Sequence, residues 1–325
     1  MSAARVAIAA AAVAVGAAGC GSFEDPAIVL DLRILAMSAE PPEQVVPFDP
    51  ANPLDVTFAP FEVCMLVADP GADRALEWSM TACPPAGDRR CEPDRPSVAM
   101  GRGRIEDPET AGAPQVACAT LPEGGGLLAV LQDTIADDDL SGFGGVDINV
   151  SVRVVPAGGD ETSAVYGAKG VRFSPQVPAE RVANRNPTLE RIDVDRGDGA
   201  LVPLPLGRCA DQAAPLTLAP GASIELTPVE PPGAREDYLV PTFEGGVRMF
   251  TENLKYQWLA RGGDWTRANT GGPRDGAGNP AQLDTGWEAP PTDRVPADGL
   301  VSLWVIQRDE RGGLAWFESC VRVQP

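Results

Sequence analysis

Apolar and polar residues alternate along short segments of this chain, and this alternation constrains the fold more than any other feature of the sequence. The clearest example spans residues 146–153, where the apolar positions are Val146, Ile148, Val150 and Val152. One apolar face and one hydrated face are typical of a half-buried antiparallel strand. Beyond the first twenty residues, no long stretch has a convincing 3.6-residue period. The pattern therefore predicts an all-β protein.

Similar segments recur between clusters of Gly, Pro, Asp and Asn. In the first half, strands are also predicted at 28–37, 61–67, 75–80, 127–131 and 164–173. In the second half, they are predicted at 189–194, 222–226, 254–260, 300–307 and 315–323. The chain contains 35 Gly and 33 Pro among 325 residues, so breaks are frequent. Many short strands with such breaks indicate β-sandwiches rather than a parallel α/β sheet.

The polar, proline-spaced segment 175–187 divides the pattern into two parts. Each part has an N-terminal apolar strand, a strand centred on a tryptophan (Trp78 or Trp258) and a closing pair of strands. We predict two tandem immunoglobulin-like β-sandwich domains, at 28–174 and 188–325, joined by the linker 175–187. The residues beyond a minimal sandwich are expected in three loops, at 83–116, 230–247 and 262–291.

The charge balance excludes several classes of partner and chemistry. The chain has 26 Lys and Arg against 46 Asp and Glu, which gives a net charge of −20, and it has no histidine. Nucleic-acid binding needs a basic face, so no nucleic-acid partner is expected. The absence of histidine removes Ser-His-Asp and Cys-His catalysis and histidine-ligated zinc or haem.

The first twenty residues have the features of a targeting segment. Arg5 precedes an apolar run at 6–19 that consists almost wholly of Ala and Val. Such a run is shorter than the roughly 20 residues that span a bilayer, but it suits the core of a signal peptide. The run ends in Ala17-Ala18-Gly19-Cys20, which resembles the lipobox of bacterial lipoproteins.

The lipoprotein resemblance implies that residues 1–19 are removed and that Cys20 is lipidated and becomes the new N-terminus, followed by a tether at 20–27. Gly21 and Ser22 follow the cysteine, and the Asp that retains such lipoproteins at an inner membrane is absent. The implied location is the outer membrane, on its periplasmic face or at the cell surface. The lipid would provide the attachment to the membrane.

Six further cysteines support an exported protein, because an even number in such a chain predicts disulfides. No Cys-x-x-Cys pair is present, which argues against a metal site. Six cysteines allow 15 pairings, and we choose one of them. The two cysteines of the C-terminal half are paired with each other, and the other four are divided into two pairs. The predicted bonds are Cys209–Cys320, Cys64–Cys118 and Cys83–Cys91.

The closing segment 301–313 ends in a strand followed by Asp309-Glu310-Arg311-Gly312. It resembles the closing hairpin of PKD-like and other immunoglobulin-like extracellular repeats, in which an alternating strand enters an Asp-x-x-Gly turn. The segment 32–43, together with Trp78, is similar to surface lipoproteins of Gram-negative bacteria built from such repeats. This resemblance implies a spacer, adhesin or binding module with no intrinsic catalysis.

Two sets of residues are candidates for ligand contact. Trp265 and Trp287 are predicted in loops, where aromatic faces would stack on sugars. Asp137, Asp138 and Asp139 are adjacent carboxylates that would favour a cation such as calcium, although a solvated acidic loop is the simpler interpretation.

Our prediction for function is a non-catalytic, lipid-anchored envelope protein that acts as a structural or protein-interaction module. The first alternative is a carbohydrate-binding accessory protein that uses the loop tryptophans. The second alternative is a carboxylate-dependent hydrolase, which needs only two carboxylates in one cleft. No cofactor other than calcium is considered, and the protein or glycan partner is not identified by the sequence.

Overall fold

The computed structural model describes residues 25–47, 58–106, 115–121 and 126–324. The signal segment, Cys20 and most of the tether lie outside these residues, so the predictions made for them stay predictions. Within the described residues, no helix combines the length and the apolar character needed to cross a membrane. The described chain is mostly β, as the alternation predicts.

The described residues of the first half contain eight strands and one helix. They are β1 (Arg33–Glu40), β2 (Glu43–Val46), β3 (Glu62–Ala68), β4 (Leu76–Cys83), β5 (Val98–Ile105), β6 (Val116–Thr120), α1 (Leu127–Asp137), β7 (Val146–Pro156) and β8 (Val165–Pro175). They form a three-stranded sheet in the order β1-β3-β6 and a five-stranded sheet in the order β2-β8-β7-β4-β5. All neighbours are antiparallel except β2 and β8.

The second half contains twelve described strands. They are β9 (Arg191–Asp195), β10 (Leu201–Pro203), β11 (Leu216–Leu218), β12 (Ser223–Val229), β13 (Asp237–Pro241), β14 (Val247–Thr251), β15 (Lys255–Ala260), β16 (Asp264–Trp265), β17 (Asn269–Gly271), β18 (Thr285–Glu288), β19 (Leu300–Arg308) and β20 (Leu314–Val323). Two five-stranded sheets have the orders β10-β9-β12-β18-β16 and β11-β20-β19-β15-β17, and β13 pairs only with β14. Single 3₁₀ turns lie at Glu161–Ser163, Cys209–Asp211 and Thr292–Arg294.

The sheet β1-β3-β6 contributes to the hydrophobic cores of both halves. On β3, Met65 and Val67 belong to the core shared with β4, β7 and β8, whereas Leu66 and Ala68 belong to the core of the second half. Successive side chains of a strand point to opposite faces, so this end of β3 is buried on both sides. The two halves are therefore packed against each other through a common layer of strands.

The start of the described chain also joins the halves. Ala27 and Val29 are buried in the core of the second half, and the backbone N–H of Val29 donates to the carbonyl of Ala260 over 2.8 Å. The chain then enters β1, which lies in the first half. Residues on both sides of the predicted linker thus share one core.

Four predictions about local structure are wrong, and one of them is the loop at 262–291, which contains strands β16, β17 and β18. Residues 127–131, predicted as a strand, begin helix α1, and Leu127, Val130, Leu131 and Thr134 form its buried face at helical spacing. The predicted loop 83–116 contains strand β5, and the predicted loop 230–247 contains strand β13. The strand predictions that rested on clear alternation agree with the structure, as for β7 and β19.

Three disulfides brace the fold, and they join the pairs chosen from the sequence. Cys64 and Cys118 lie directly opposite each other on β3 and β6. Cys83–Cys91 closes a short loop, and Cys209–Cys320 spans 111 residues. A cross-link over a loop of that length removes the most conformational entropy from the unfolded chain.

Candidate functional site

The turn between β19 and β20 is closed by a buried aspartate. Asp309 Oδ1 accepts hydrogen bonds from the backbone N–H groups of Arg311, over 2.8 Å, and of Gly313, over 2.7 Å. Gly312 has a φ of 95°, a conformation that glycine adopts without the cost that a side chain would impose. The Asp-x-x-Gly sequence therefore fixes a tight turn that directs Arg311 into the protein.

Glu43, on β2, is the centre of a buried ionic cluster that we call the hub. Its side chain is 1% exposed, and each carboxylate oxygen accepts two hydrogen bonds. Oε1 accepts from Ser174 Oγ at 2.5 Å and Arg181 Nη2 at 2.9 Å, and Oε2 accepts from the backbone N–H of Asn184 at 2.8 Å and Arg311 Nη2 at 2.7 Å. Burial raises the pKa of Glu43, but these hydrogen bonds and the two arginines outweigh it, and the net pKa is lowered.

Arg311 connects the hub to the second half. Its Nη1 atom lies 3.3 Å from Glu252 Oε1 and 3.6 Å from Glu236 Oε2, and its guanidinium carbon lies 4.9 Å from the centre of the Tyr238 ring. Burial raises the pKa of Glu252 to about 7. The negative charges of Asp309 and Glu236 act in the same direction, and the positive charge of Arg311 acts in the opposite direction. The hub therefore contains a carboxyl group that titrates near neutral pH.

The segment 175–187 is held by polar contacts with both halves. Asn184 is 1% exposed, and its Nδ2 donates to Asp309 Oδ2 over 3.0 Å. Asn186 Nδ2 donates to the carbonyl of Ala39 over 2.7 Å, and its Oδ1 accepts from the N–H of Leu314 over 2.9 Å. These contacts fix the positions of the two halves relative to each other.

An open cleft of about 690 Å³ lies beside the hub, between strand β8 and strand β13. Lys169 lines it, is 8% exposed, and donates a hydrogen bond to the carbonyl of Gly312. Burial lowers the pKa of Lys169 to about 8, with the charge of Asp309 opposing this effect and that of Arg308 adding to it. Among the described residues, Lys169 forms no salt bridge. Asp309 and Asp147 therefore act on its ammonium group through their charges without a direct ion pair.

Strands β13 and β14 form a hairpin, which we call the arm, spanning residues 237–251. Fifteen large apolar side chains are exposed among the described residues, and five lie in this short segment. They are Val240 (38% exposed), Phe243 (80%), Val247 (52%), Met249 (71%) and Phe250 (44%). Every residue of β14 is exposed, so the arm presents apolar groups to solvent.

Aromatic contacts orient the arm against the body of the protein. The rings of Phe243 and Phe143 are stacked with centroids 5.1 Å apart, and those of Tyr238 and Phe250 are stacked at 5.7 Å. At the base, Tyr238 Oη donates to Glu310 Oε1 over 2.9 Å. The arm is thus anchored at both ends, while its strands pair only with each other in the described chain.

The prediction that Trp265 and Trp287 lie in loops is wrong. Trp265 is in β16 and 9% exposed, and Trp287 is in β18 and 1% exposed. Their rings lie 6.2 Å apart and pack in the core with Trp258. Because their faces are covered by other side chains, they do not offer a stacking surface to a sugar.

The three adjacent aspartates do not converge on a common point. Asp137 forms a salt bridge with Arg95 at 2.6 Å, and Asp138 Oδ2 accepts from the N–H of Gly142 over 2.7 Å at the end of α1. In the described part of the chain, one cluster has ligand spacing, and it consists of Glu62, Cys64 and Cys118. Both cysteines there are in a disulfide, so neither is available as a thiolate ligand.

A hydrolase would need two carboxylates in one cleft. Glu252 borders a second open cavity and is the one carboxylate among the described residues that line it. In the cleft beside the hub, Glu43 is saturated by four donors, and Asp147 pairs with Arg172 at 3.0 Å. These carboxylates are engaged by the protein itself, as is Glu310 in the same cleft, which accepts from Tyr238 and Asn253. Another cavity, of about 280 Å³, is lined by Asp73, Asp298 and Glu318, so the hydrolase alternative stays a prediction.

Neither protein-family models nor curated protein sequences match this chain. Among solved structures, it is similar to the crystal structure of a β-glucuronidase from Parabacteroides merdae, with a TM-score of 0.19 and 9% sequence identity. The alignment covers 87% of this chain and 24% of that chain. At this TM-score the similarity supports no inference about fold or activity, and the resemblance to PKD-like repeats and lipoproteins stays a prediction.

The sequence analysis missed the residues that organise the site. Glu43 follows two prolines in a segment that has the composition of a turn, and its four partners lie far away in sequence. The arm had a detectable signal, because mostly apolar segments at 238–240 and 247–250 flank Gly245-Gly246, a pattern that indicates a hairpin.

Proposed function

We propose that this protein is a non-catalytic interaction module of the cell envelope, exported and anchored by lipid at Cys20. Two immunoglobulin-like sandwiches would form its body. The three disulfides support the export, because such bonds persist in oxidising compartments outside the cytoplasm. The all-β architecture with two packed cores is compatible with the tandem sandwich arrangement.

The arm carries this proposal, because it exposes apolar side chains that a soluble surface ordinarily avoids. Contiguous exposed apolar groups are typical of protein–protein contacts. On one face of the arm, Leu239, Met249 and Val247 are neighbours across the two strands. A protein partner would cover this face and, through β14, could add a strand to the arm.

A photo-reactive amino acid at position 249 tests the proposed contact in intact cells. We expect irradiation to produce a discrete protein adduct, because Met249 is 71% exposed on the apolar face. The matched control carries the same group at Leu201, which is 64% exposed in the second half but outside the arm. An equal yield of adducts from both positions, or none from position 249, contradicts a specific partner at the arm.

Lipid attachment requires a separate experiment. Metabolic labelling with a radioactive fatty acid should label the full chain and not the Cys20→Ala variant, and the label should fractionate with the outer membrane. A labelled Cys20→Ala variant, or an unlabelled wild type that is exported, contradicts the proposed anchor.

A further inference from the structure

Another open cavity, which we call the apolar groove, lies where helix α1 faces the ends of β2 and β8. Its volume is about 660 Å³, and its walls include Leu131, Ile135, Phe143, Phe173 and Val177. Ile135 is 36% exposed, Phe143 41% and Val177 40%. Ligand cavities of about 300–1,000 Å³ are commonly lined by apolar side chains in this way.

The apolar groove and the cleft beside the hub are adjacent and share part of their walls. Phe143, Gly144 and Pro241 line both cavities. The groove is bordered almost wholly by hydrocarbon, whereas the cleft is bordered by ionic side chains. The two cavities together therefore match a molecule with one apolar end and one polar end.

The charged residues of the cleft indicate which charge the polar end of a bound molecule would carry. The chain carries a net charge of −20, yet four cations line the cleft against three carboxylates, Glu43, Asp147 and Glu310. Arg181 and Arg311 are paired with Glu43, and Arg172 is paired with Asp147. Lys169 is the remaining cation, and its hydrogen bond goes to a neutral carbonyl.

We propose that the two adjacent cavities bind a single-chain fatty acid, with its hydrocarbon tail in the apolar groove and its carboxylate at Lys169. Burial of the tail supplies affinity, because apolar surface is removed from water on both partners. The carboxylate supplies orientation, since it would form an ion pair with an ammonium group that forms no salt bridge within the described residues. The arm also borders the cleft, through residues such as Leu239 and Phe243. This inference is nevertheless separate from a protein partner at the arm, because Val247 and Met249, the most exposed residues of the face assigned to that partner, line neither cavity.

Displacement of a fluorescent fatty acid from the full chain measures this binding. We expect palmitate to displace the probe. Hexadecanol, which has the same tail and no charge, should be weaker by about tenfold, the effect of one lost charge-assisted hydrogen bond. Acetate, which has no tail, should not displace it. Equal potency of palmitate and hexadecanol contradicts the assignment of the head group, and no displacement by either contradicts the site.

Three variants locate the binding. Ile135→Arg places a charge in the apolar groove and should abolish displacement, while Leu201→Arg, at an exposed apolar residue elsewhere, should leave it unchanged. Lys169→Met should weaken palmitate to the level of hexadecanol and leave hexadecanol unchanged. Because Ile135→Arg could impair folding, Val177→Arg on the opposite wall provides a second test, and the melting temperature of each variant is measured. Unchanged binding in both groove variants overturns the proposal.

The chain itself offers an alternative occupant. Residues 48–57 connect Pro47 to Phe58, and both of these residues line the apolar groove. Binding of palmitate that appears only after residues 48–57 are deleted would assign the groove to this segment and overturn the proposal. Binding by the full chain, with a melting temperature raised by palmitate, supports it.

Discussion

The hub and the arm reverse the usual distribution of polar and apolar groups. The hub buries a carboxylate and two arginines between the halves, with Glu43 1% exposed and Arg311 12% exposed. The arm, which begins at the edge of the hub, leaves Met249 and Phe243 mostly exposed. One region encloses charges, and its neighbour presents hydrocarbon to solvent.

The hub and the arm differ in whether their side chains have partners within the protein. Every oxygen lone pair used by Glu43 has a donor within the protein, so the hub is complete and fixes geometry. No other part of the described chain covers the apolar face of the arm. Binding of a partner there would remove this surface from water, which lowers the free energy. The hub thus fixes the position of the arm, whose apolar face is left for a partner. The following predictions test this difference between the two regions.

The largest effect is expected from Glu43→Gln, which leaves Arg181 and Arg311 buried without their carboxylate. Removing one partner of a buried ionic cluster costs about 3–5 kcal/mol of unfolding free energy. Chemical denaturation measures this loss, and Glu225→Gln, at an exposed position of β12, is the control. Similar unfolding free energies for the two variants would mean that the hub does not fix the halves.

Glu252 makes a smaller contribution that depends on pH. Its pKa is raised mainly by burial to about 7 from the ordinary value of 4.5. Between these values the folded state holds a proton that the unfolded state has lost, so stability is present below pH 4.5 and is lost as the pH rises through 7. Relative to Glu252→Gln, the wild type should lose about 2–3 kcal/mol of unfolding free energy between pH 5 and pH 8, by linkage.

Denaturation of wild type and Glu252→Gln across that pH range measures the effect. Arg311, Glu236 and Asp309 surround the carboxyl group, and both proteins contain these residues, so the difference between them isolates Glu252. The same pH series on Met249→Ser, which alters no ionisable group, gives the background. A difference between wild type and Glu252→Gln that does not change with pH refutes the raised pKa.

Lys169→Met should have a still smaller effect and the opposite sign. The pKa of Lys169 is lowered by burial from 10.5 to about 8, so the wild type gains stability above pH 10.5 and loses it as the pH falls through 8. At pH 7 the buried ammonium charge destabilises the wild type. The variant removes this charge but leaves the carbonyl of Gly312 without its donor. We expect a net gain of about 1 kcal/mol in unfolding free energy. A destabilised variant would mean that the ammonium group serves the fold rather than a ligand.

The sequence predicted those parts of the fold that depend on local alternation. Strand β7 has one buried residue in every two, whereas β5 has mostly exposed or half-buried residues and no such alternation. The reason for β5 is not local. A Cβ atom on Gly103 would lie 2.9 Å from the ring of Trp78, so the glycine is required by a side chain on another strand.

The site was less predictable than the fold, because its contacts join distant residues. Glu43 and Arg311 are separated by 268 positions, and no local pattern relates them. Trp265 and Trp287 are buried because two very short strands, β16 and β18, pair with each other. The Asp-x-x-Gly turn was detectable because its hydrogen bonds are local, but its role as the anchor of the hub was not.

The smallest effect on stability is expected from Met249→Ser in the arm. Because the side chain is 71% exposed, the unfolding free energy should change by less than about 0.5 kcal/mol, as for ordinary surface substitutions. Association should change more, since the substitution removes apolar area from the face assigned to a partner. The yield of partner cross-linked from a photo-reactive amino acid at position 247, on the same face, measures this, with Leu201→Ser as the control. A loss of stability comparable to that of Glu43→Gln would place Met249 in the folded core and remove the contrast between the arm and the hub.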